Sequence, residues 1–231
     1  MSRPLRIATY NIRKALGTDR RRDPERVMRV IAELGADILC LQEADKRLPP
    51  RPPALERALL EERTGLRPVE YDHGRDSLGW HGNAILIGPD IEVTDRVHHD
   101  FPGLEPRGMV EAVLERDGIP FRVFGVHLAL MRAVRKRQVR HLLDRAGDAD
   151  LPTLIAGDFN ERSLGEGLGS LARHYRILTG GPTYHSRRPV FGLDRIAISD
   201  HFDAGEIGAV MTEDSRLASD HLPLLAEVSL G

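Results

Sequence analysis

Between Asn83 and Val126 the chain makes four short apolar runs: Asn83-Ala84-Ile85-Leu86-Ile87, Ile91 to Val97, Met109 to Leu114 and Phe121 to Val126. Turn signals at Gly88-Pro89, Pro102-Gly103 and Asp117-Gly118 separate them. Glycine and proline set the backbone for reversal, and even spacing of short strands predicts antiparallel β-sheet. Further strands flank this block. Leu5 to Tyr10 alternates with period two, Asp37 to Gln42 is almost wholly apolar and so reads as buried on both faces, and Leu151 to Ala156 reads the same way. Val190 to Ser199, Glu206 to Met211 and Leu222 to Val228 bring the count to about ten.

Helical signals are fewer. Asp23-Pro24 supplies an N-cap and a first-turn proline, Val27, Val30, Ile31 and Leu34 make one apolar face, and Gly35 closes the helix. A loop with four prolines from Leu48 to Pro53 leads to a short helix from Ala54 to Arg63. Arg132 to Ala146 is a basic helix with Val139, Leu142, Leu143 and Ala146 turned inward, and Gln138 beside that stripe needs a polar partner. A short helix is expected near Ser163 to Arg173, and loops over Tyr71 to Gly82 and Thr179 to Pro189. Strands with helices at the start, middle and late middle predict two packed sheets flanked by helices, as one domain over residues 1–231 without internal repeat.

No apolar stretch is long enough to cross a bilayer, and the N-terminus lacks a signal-peptide core, which predicts a soluble, cytoplasmic protein. The lone cysteine, Cys40 within Ile38-Leu39-Cys40-Leu41, reads as a core residue. A formal net charge of -2 argues against coating nucleic acid by bulk electrostatics. Two basic runs, Arg13, Lys14, Arg20, Arg21, Arg22 and Arg132, Arg135, Lys136, Arg137, Arg140, read first as solvated faces.

Polar residues collect where strands stop. The run into Gly157-Asp158-Phe159-Asn160 places Asp158 and Asn160 on one side and Phe159 on the other, and Asn11, Glu43, His127, Asp194, Asp220 and His221 also stand at strand ends or in adjoining loops. An acid and an amide aimed past a buried strand suit the orientation of water and a phosphate or metal; alone, the tetrapeptide would read as a polar turn.

Five segments, Thr9-Tyr10-Asn11-Ile12-Arg13, Leu41-Gln42-Glu43, Gly157-Asp158-Phe159-Asn160, Leu193-Asp194-Arg195-Ile196 and Ser219-Asp220-His221-Leu222-Pro223, resemble in order the motifs of the endonuclease/exonuclease/phosphatase family. That resemblance implies an α/β fold, a four-layer α/β/β/α sandwich of the DNase I-like kind with two mixed, mostly antiparallel sheets face to face. It also implies phosphoester hydrolysis dependent on Mg²⁺ or Mn²⁺. Glu43 and Asn11 would hold the metal with Asp220 contributing, Asp158 would orient or deprotonate the attacking water, and Asn160 would hold a phosphate oxygen. Asp194 and His221 resemble the family's His-Asp pair, acting as general base or as cationic phosphate clamp, and His127 matches a second histidine that binds phosphate or protonates the leaving oxygen. Asn83 and Arg107 resemble substrate-binding positions, with a turn-closing amide and a solvated arginine as the structural alternatives.

Departures bear on the substrate. His127 and the compact loops differ from the abasic-site endonucleases, and Arg195 stands where relatives carry an aromatic residue or histidine, either favouring an anionic substrate or pairing with Asp203 or Glu206. The expected activity is a phosphodiesterase or phosphatase on a phospholipid headgroup, a small phosphoester or nucleic acid; a repair-type DNA endonuclease or exonuclease and a phosphate-binding module without turnover are the alternatives. No segment points to an obligate protein partner.

Overall fold

Alternation in Leu5–Asn11 sends Leu5 and Ile7 into one apolar layer and Ala8 and Tyr10 into another, so the first strand is covered on both faces. In the computed structural model of the chain, which describes residues 3–46, 48, 50–71, 77–147 and 151–230, this pattern organises the whole molecule. In chain order the elements are β1 (Leu5–Asn11), α1 (Pro24–Leu34), β2 (Ile38–Gln42), α2 (Arg57–Thr64), β3 (Arg67–Pro68), β4 (Ala84–Ile87), β5 (Glu92–Asp100), β6 (Gly108–Arg116) and β7 (Ile119–His127). They continue with α3 (Arg132–Ala146), β8 (Thr153–Asp158), α4 (Leu164–Leu168), β9 (Arg176–Leu178), β10 (Asp194–Ile198), β11 (Phe202–Ala209), α5 (Glu213–Ala218) and β12 (Leu224–Leu230).

Two six-stranded mixed sheets result, ordered β11-β12-β1-β2-β4-β3 and β5-β6-β7-β8-β10-β9. Each has a parallel pair at its centre, β1 with β2 and β7 with β8, joined by a crossover helix, α1 or α3, and antiparallel pairings elsewhere. The two sheets therefore match in strand order and sense, but β6 turns directly into β7 whereas β12 and β1, their counterparts, are the last and first strands of the chain. Ile7, Ile38, Cys40, Ile85, Val110, Val123, Leu154 and Ile196 fill the layer between them. α1 closes the outer face of the first sheet through Val27, Val30, Ile31 and Leu34, and α3 that of the second through Val139, Leu142 and Ala146. The four-layer arrangement expected from the resemblance is the one observed. Cys40 lies within the central layer, where burial pushes its thiol up to about 12, as befits a core residue rather than a nucleophile. Among the described residues no helix is long and apolar enough to cross a membrane.

Local departures have local causes. α2 starts at Arg57, not Ala54, because the Ala54 amide donates to the Ala44 carbonyl and is held outside the helical pattern. The strand expected over Val190 to Ser199 is confined to β10, since Phe191 pairs with Tyr184 across a tight loop. The helix expected near Ser163 to Arg173 is split into α4 and a single 3-10 turn at Leu171–Arg173. β3, β9 and α5 were not legible; α5 closes its capping box with Ser215 where Glu or Gln would be the usual signal. Within the Tyr71 to Gly82 loop residues 72–76 lie outside the described residues, as does Pro49 of the proline loop.

The central strands all finish at one edge of the sandwich: Asn11 faces Gln42 in the first sheet, His127 faces Asp158 in the second, and β10 begins with Asp194 opposite Asp158. Gly157 makes this approach possible. A Cβ there would stand 1.9 Å from the Val126 carbonyl oxygen, a backbone atom inside the parallel ladder that cannot rotate away. Gly157→Ala should accordingly lower unfolding free energy by the upper end of about 1–3 kcal/mol, read by urea denaturation. An unchanged midpoint would mean that β7 and β8 can separate freely.

Candidate active site

The strand ends open into a cavity of about 750 Å³, lined by Asn11, Glu43, Arg107, His127, Asp158, Asn160, Asp220 and His221 among others. Asp158 is its buried centre. Its Oδ2 accepts from Asn11 Nδ2 at 3.1 Å and lies 3.4 Å from His127 Nε2 and 3.7 Å from His221 Nε2, while its Oδ1 accepts from the Asn160 amide at 2.9 Å. Asn160 takes a left-handed conformation at φ +50°, which turns its side chain back to the same cavity and lets Nδ2 donate to the Leu128 carbonyl at 2.9 Å; Phe159 packs the opposite way, against α3.

His221 bridges the sheets. It precedes β12 of the first sheet, yet its Nδ1 lies 2.9 Å from Asp194 Oδ2 on β10 of the second, and Thr183 Oγ1 donates to the same oxygen at 2.5 Å. Burial alone would keep this imidazole neutral, but the carboxylates of Asp194 and Asp158 outweigh it and push its pKa up to about 10. Burial likewise pushes the Asp158 carboxyl up to about 6, with His221 pulling it down and Asp194 pushing it further up. The imidazole stands between two acids, an arrangement that favours its charged form. Asp158, Asp194 and His221 thus form one compact buried group, with one ligating atom of each lying within 4.8 Å of the others.

Oxygen donors suited to a metal sit on the other wall. Glu43, at a left-handed φ of +53°, and Asp220 both face the cavity; the Lys14 ammonium meets Glu43 and the Arg13 Nε stands 3.5 Å from Asp220 Oδ2. Asn11 Oδ1 accepts the Arg13 amide at 3.1 Å and keeps a second lone pair. Two carboxylates that already attract cations, with an amide oxygen beside them and no sulfur or imidazole among them, fit a hard divalent ion such as Mg²⁺ or Mn²⁺.

The two substrate-binding expectations part ways. Arg107 lines the cavity, buried, with Nη2 donating to Glu105 Oε1 at 2.9 Å and Nη1 to the His127 carbonyl at 3.3 Å. Asn83 does not line it: Nδ2 donates to the carbonyls of Trp80 at 3.3 Å and Gly108 at 2.9 Å, so it closes a turn and ties β4 to the start of β6. Arg195 pairs with neither Asp203 nor Glu206; its buried guanidinium donates to the Asp194 carbonyl at 2.9 Å.

The sequence profile described as the Endonuclease/Exonuclease/phosphatase family matches residues 8–221, spanning every segment that builds this cavity. The chain belongs to that family. No curated protein matches its sequence, whereas solved structures match over nearly its full length. A conserved protein of unknown function from Enterococcus faecalis superposes with a TM-score of 0.79 at 20% identity, covering 98% of this chain and 100% of its own. A Bacteroides thetaiotaomicron mannosyl-6-phosphatase gives 0.74 at 17%, covering 98% and 100%, and D. rerio TDP2 complexed with a single strand DNA product gives 0.77 at 18%, covering 99% and 100%. Identities this low speak for the fold alone.

Some cavity residues of this endonuclease/exonuclease/phosphatase chain carried no sequence signal. Tyr184 lies in the loop expected over Thr179 to Pro189, with its ring 5.0 Å from that of His221, and Arg162 stacks over Phe191 at 3.6 Å on the same rim. A threonine and an aromatic residue at Thr183-Tyr184, inside an otherwise Gly- and Pro-bounded loop, were the available hint. The basic helix holds the other surprise. Arg135 is buried, with Nη2 donating to Glu161 Oε2 at 2.6 Å and Nη1 to the carbonyls of Ala129 and Leu130, so it props the cavity wall and is no part of a solvated helix face. Gln138 finds the partner it needed in the Ala129 amide, 2.8 Å from its Oε1.

Proposed function

We propose that this chain is a divalent-metal-dependent phosphoester hydrolase, a phosphodiesterase or phosphatase using Mg²⁺ or Mn²⁺. Members of its family hydrolyse phosphoester bonds, and one observation carries the reading to this chain: a buried carboxylate, Asp158, on which His127, His221, Asn11 and Asn160 converge at the mouth of the cavity. Asp158, raised to about 6 and ionised at neutral pH, orients the attacking water and accepts its proton. His221, charged at neutral pH, serves as clamp for the phosphoryl oxygens rather than as base, with Asp194 fixing its ring. His127 stands where it can hand a proton to the leaving oxygen, and Asn160 and Arg107 add donors for the phosphate. Glu43, Asn11 and Asp220 would hold the metal, which when bound would offset charge developing on the phosphoryl oxygens.

The substrate belongs among small phosphoesters, phospholipid headgroups and nucleic acid. Proteins of the same fold include both a mannosyl-6-phosphatase and a TDP2 complexed with a single strand DNA product. The first test is hydrolysis of bis-p-nitrophenyl phosphate, followed by a panel of plasmid, abasic duplex, phospholipid and inositol phosphate. Turnover should require Mg²⁺ or Mn²⁺ and stop on adding EDTA. Turnover indifferent to EDTA would remove the metal from the mechanism, and ligand binding without any turnover would favour a binding module.

A further inference from the structure

Arg13, Lys14 and Ala15 are left-handed at three successive non-glycine positions, with φ of 48°, 54° and 59°. L-residues visit this conformation singly, because Cβ crowds the following carbonyl oxygen, and a run of three persists only where the surroundings impose it. They do here. The Ile12 amide donates to the Gln42 carbonyl at 3.0 Å and the Lys14 amide to the Glu43 carbonyl at 3.1 Å, extending the β1–β2 ladder beyond both strands, and the Arg22 guanidinium donates to the Lys14 carbonyl. The strained turn aims two cations: Lys14 at the Glu43 carboxylate and Arg13 at that of Asp220.

We propose that Lys14 is a tethered competitor for the metal site, an ammonium that neutralises Glu43 in the metal-free protein and is exchanged for the divalent ion on binding. The proposal rests on the reading of Glu43 as a metal-holding residue. Its physical basis is the crowding of negative charge at the cavity, where Glu43, Asp158 and Asp220 share one opening. A monovalent ammonium offsets that charge, and a compact, strongly hydrated head on a flexible stem leaves for water readily, since the Lys14 side chain is already 37% exposed. The backbone bonds remain during the exchange, because they involve the main chain of residues 12 and 14 and not the Lys14 side chain.

Mn²⁺ affinity, read from the electron paramagnetic resonance signal of the free ion, tests this without any turnover. Lys14→Met should bind Mn²⁺ about two- to five-fold more tightly than wild type, the range an exposed ion pair can supply. Lys14→Asn, neutral and at ease with positive φ, should bind as tightly as Lys14→Met and guards against a folding artefact. Lys14→Arg should match wild type. Unchanged or weaker binding in both neutral variants overturns the exchange. Glu43→Gln separates the two levels: if it weakens Mn²⁺ binding while the Lys14 variants do not tighten it, only the exchange fails; if it leaves affinity untouched, the metal assignment of Glu43 fails with it.

Discussion

Asp158→Asn should lower kcat for bis-p-nitrophenyl phosphate by about 10²–10⁴-fold, the contribution of a positioned general base. Asparagine preserves the volume at the end of β8 and can still accept from the Asn160 amide, but its Nδ2 replaces the oxygen that accepts from Asn11, so the loss combines the charge with that hydrogen bond. The same substitution deletes one of the two carboxylates that hold the His221 proton, and the His221 pKa should fall from about 10. On the proposed mechanism the active pairing is Asp158 ionised with His221 protonated. Activity should therefore rise through pH of about 6, where the carboxylate forms, and decline toward about 10, where the imidazolium is lost. Proton NMR of the histidine rings and a kcat–pH profile read both. Hydrolysis within threefold of wild type would remove Asp158 from the chemistry and leave it a structural acid.

Much of this site was legible because strands place side chains with a fixed period. An apolar run such as Leu154-Ile155-Ala156 must be buried, so the polar residue that ends it is delivered to an edge, and the same logic marked Asn11, Glu43 and His127. Convergence of those edges is a different matter. Asn11 and Asp158 are 147 residues apart and His221 and Asp194 are 27 apart, and nothing in local spacing says that two sheets will lay these ends against each other. The order of five motifs carried that information through resemblance instead.

Side-chain fate at helical and loop positions was less readable still. Asn83 and Arg107 looked alike as polar residues beside turns, but only Arg107 reaches the cavity, because β4 and β6 happen to lie close enough for Asn83 to be used up on the Gly108 carbonyl. Lys14 read as part of a basic run until the left-handed turn aimed it at Glu43.

Arg135 shows the same limit and carries the largest expected stability effect. It sits three residues from buried Gln138 on α3, within a run whose other members Arg132, Lys136, Arg137 and Arg140 are exposed, and its partner Glu161 is 26 residues away. Both side chains are almost wholly buried, and Gly167 packs so closely that a Cβ there would lie 2.1 Å from Glu161 Oε2. Burial alone would push the Glu161 carboxyl up, yet the Ser163 amide and the Arg135 and Arg132 guanidiniums outweigh it and hold it down at about 2. With a folded value below the unfolded one, this group adds stability at pH above about 4.5 that is lost as pH falls toward 2. Glu161→Ala should cost about 3–5 kcal/mol at neutral pH, because it strands the Arg135 cation in the cavity wall, and it should remove the share of acid dependence that Glu161 supplies in that window. A paired Glu161→Leu, Arg135→Met protein should recover much of the loss, since apolar groups of similar volume need no partner. Urea denaturation of the three proteins at pH 7 and pH 3 decides it. A single-variant loss below 1 kcal/mol would show that water reaches Arg135, and that the wall formed by Ala129 and Leu130 stands without the pair.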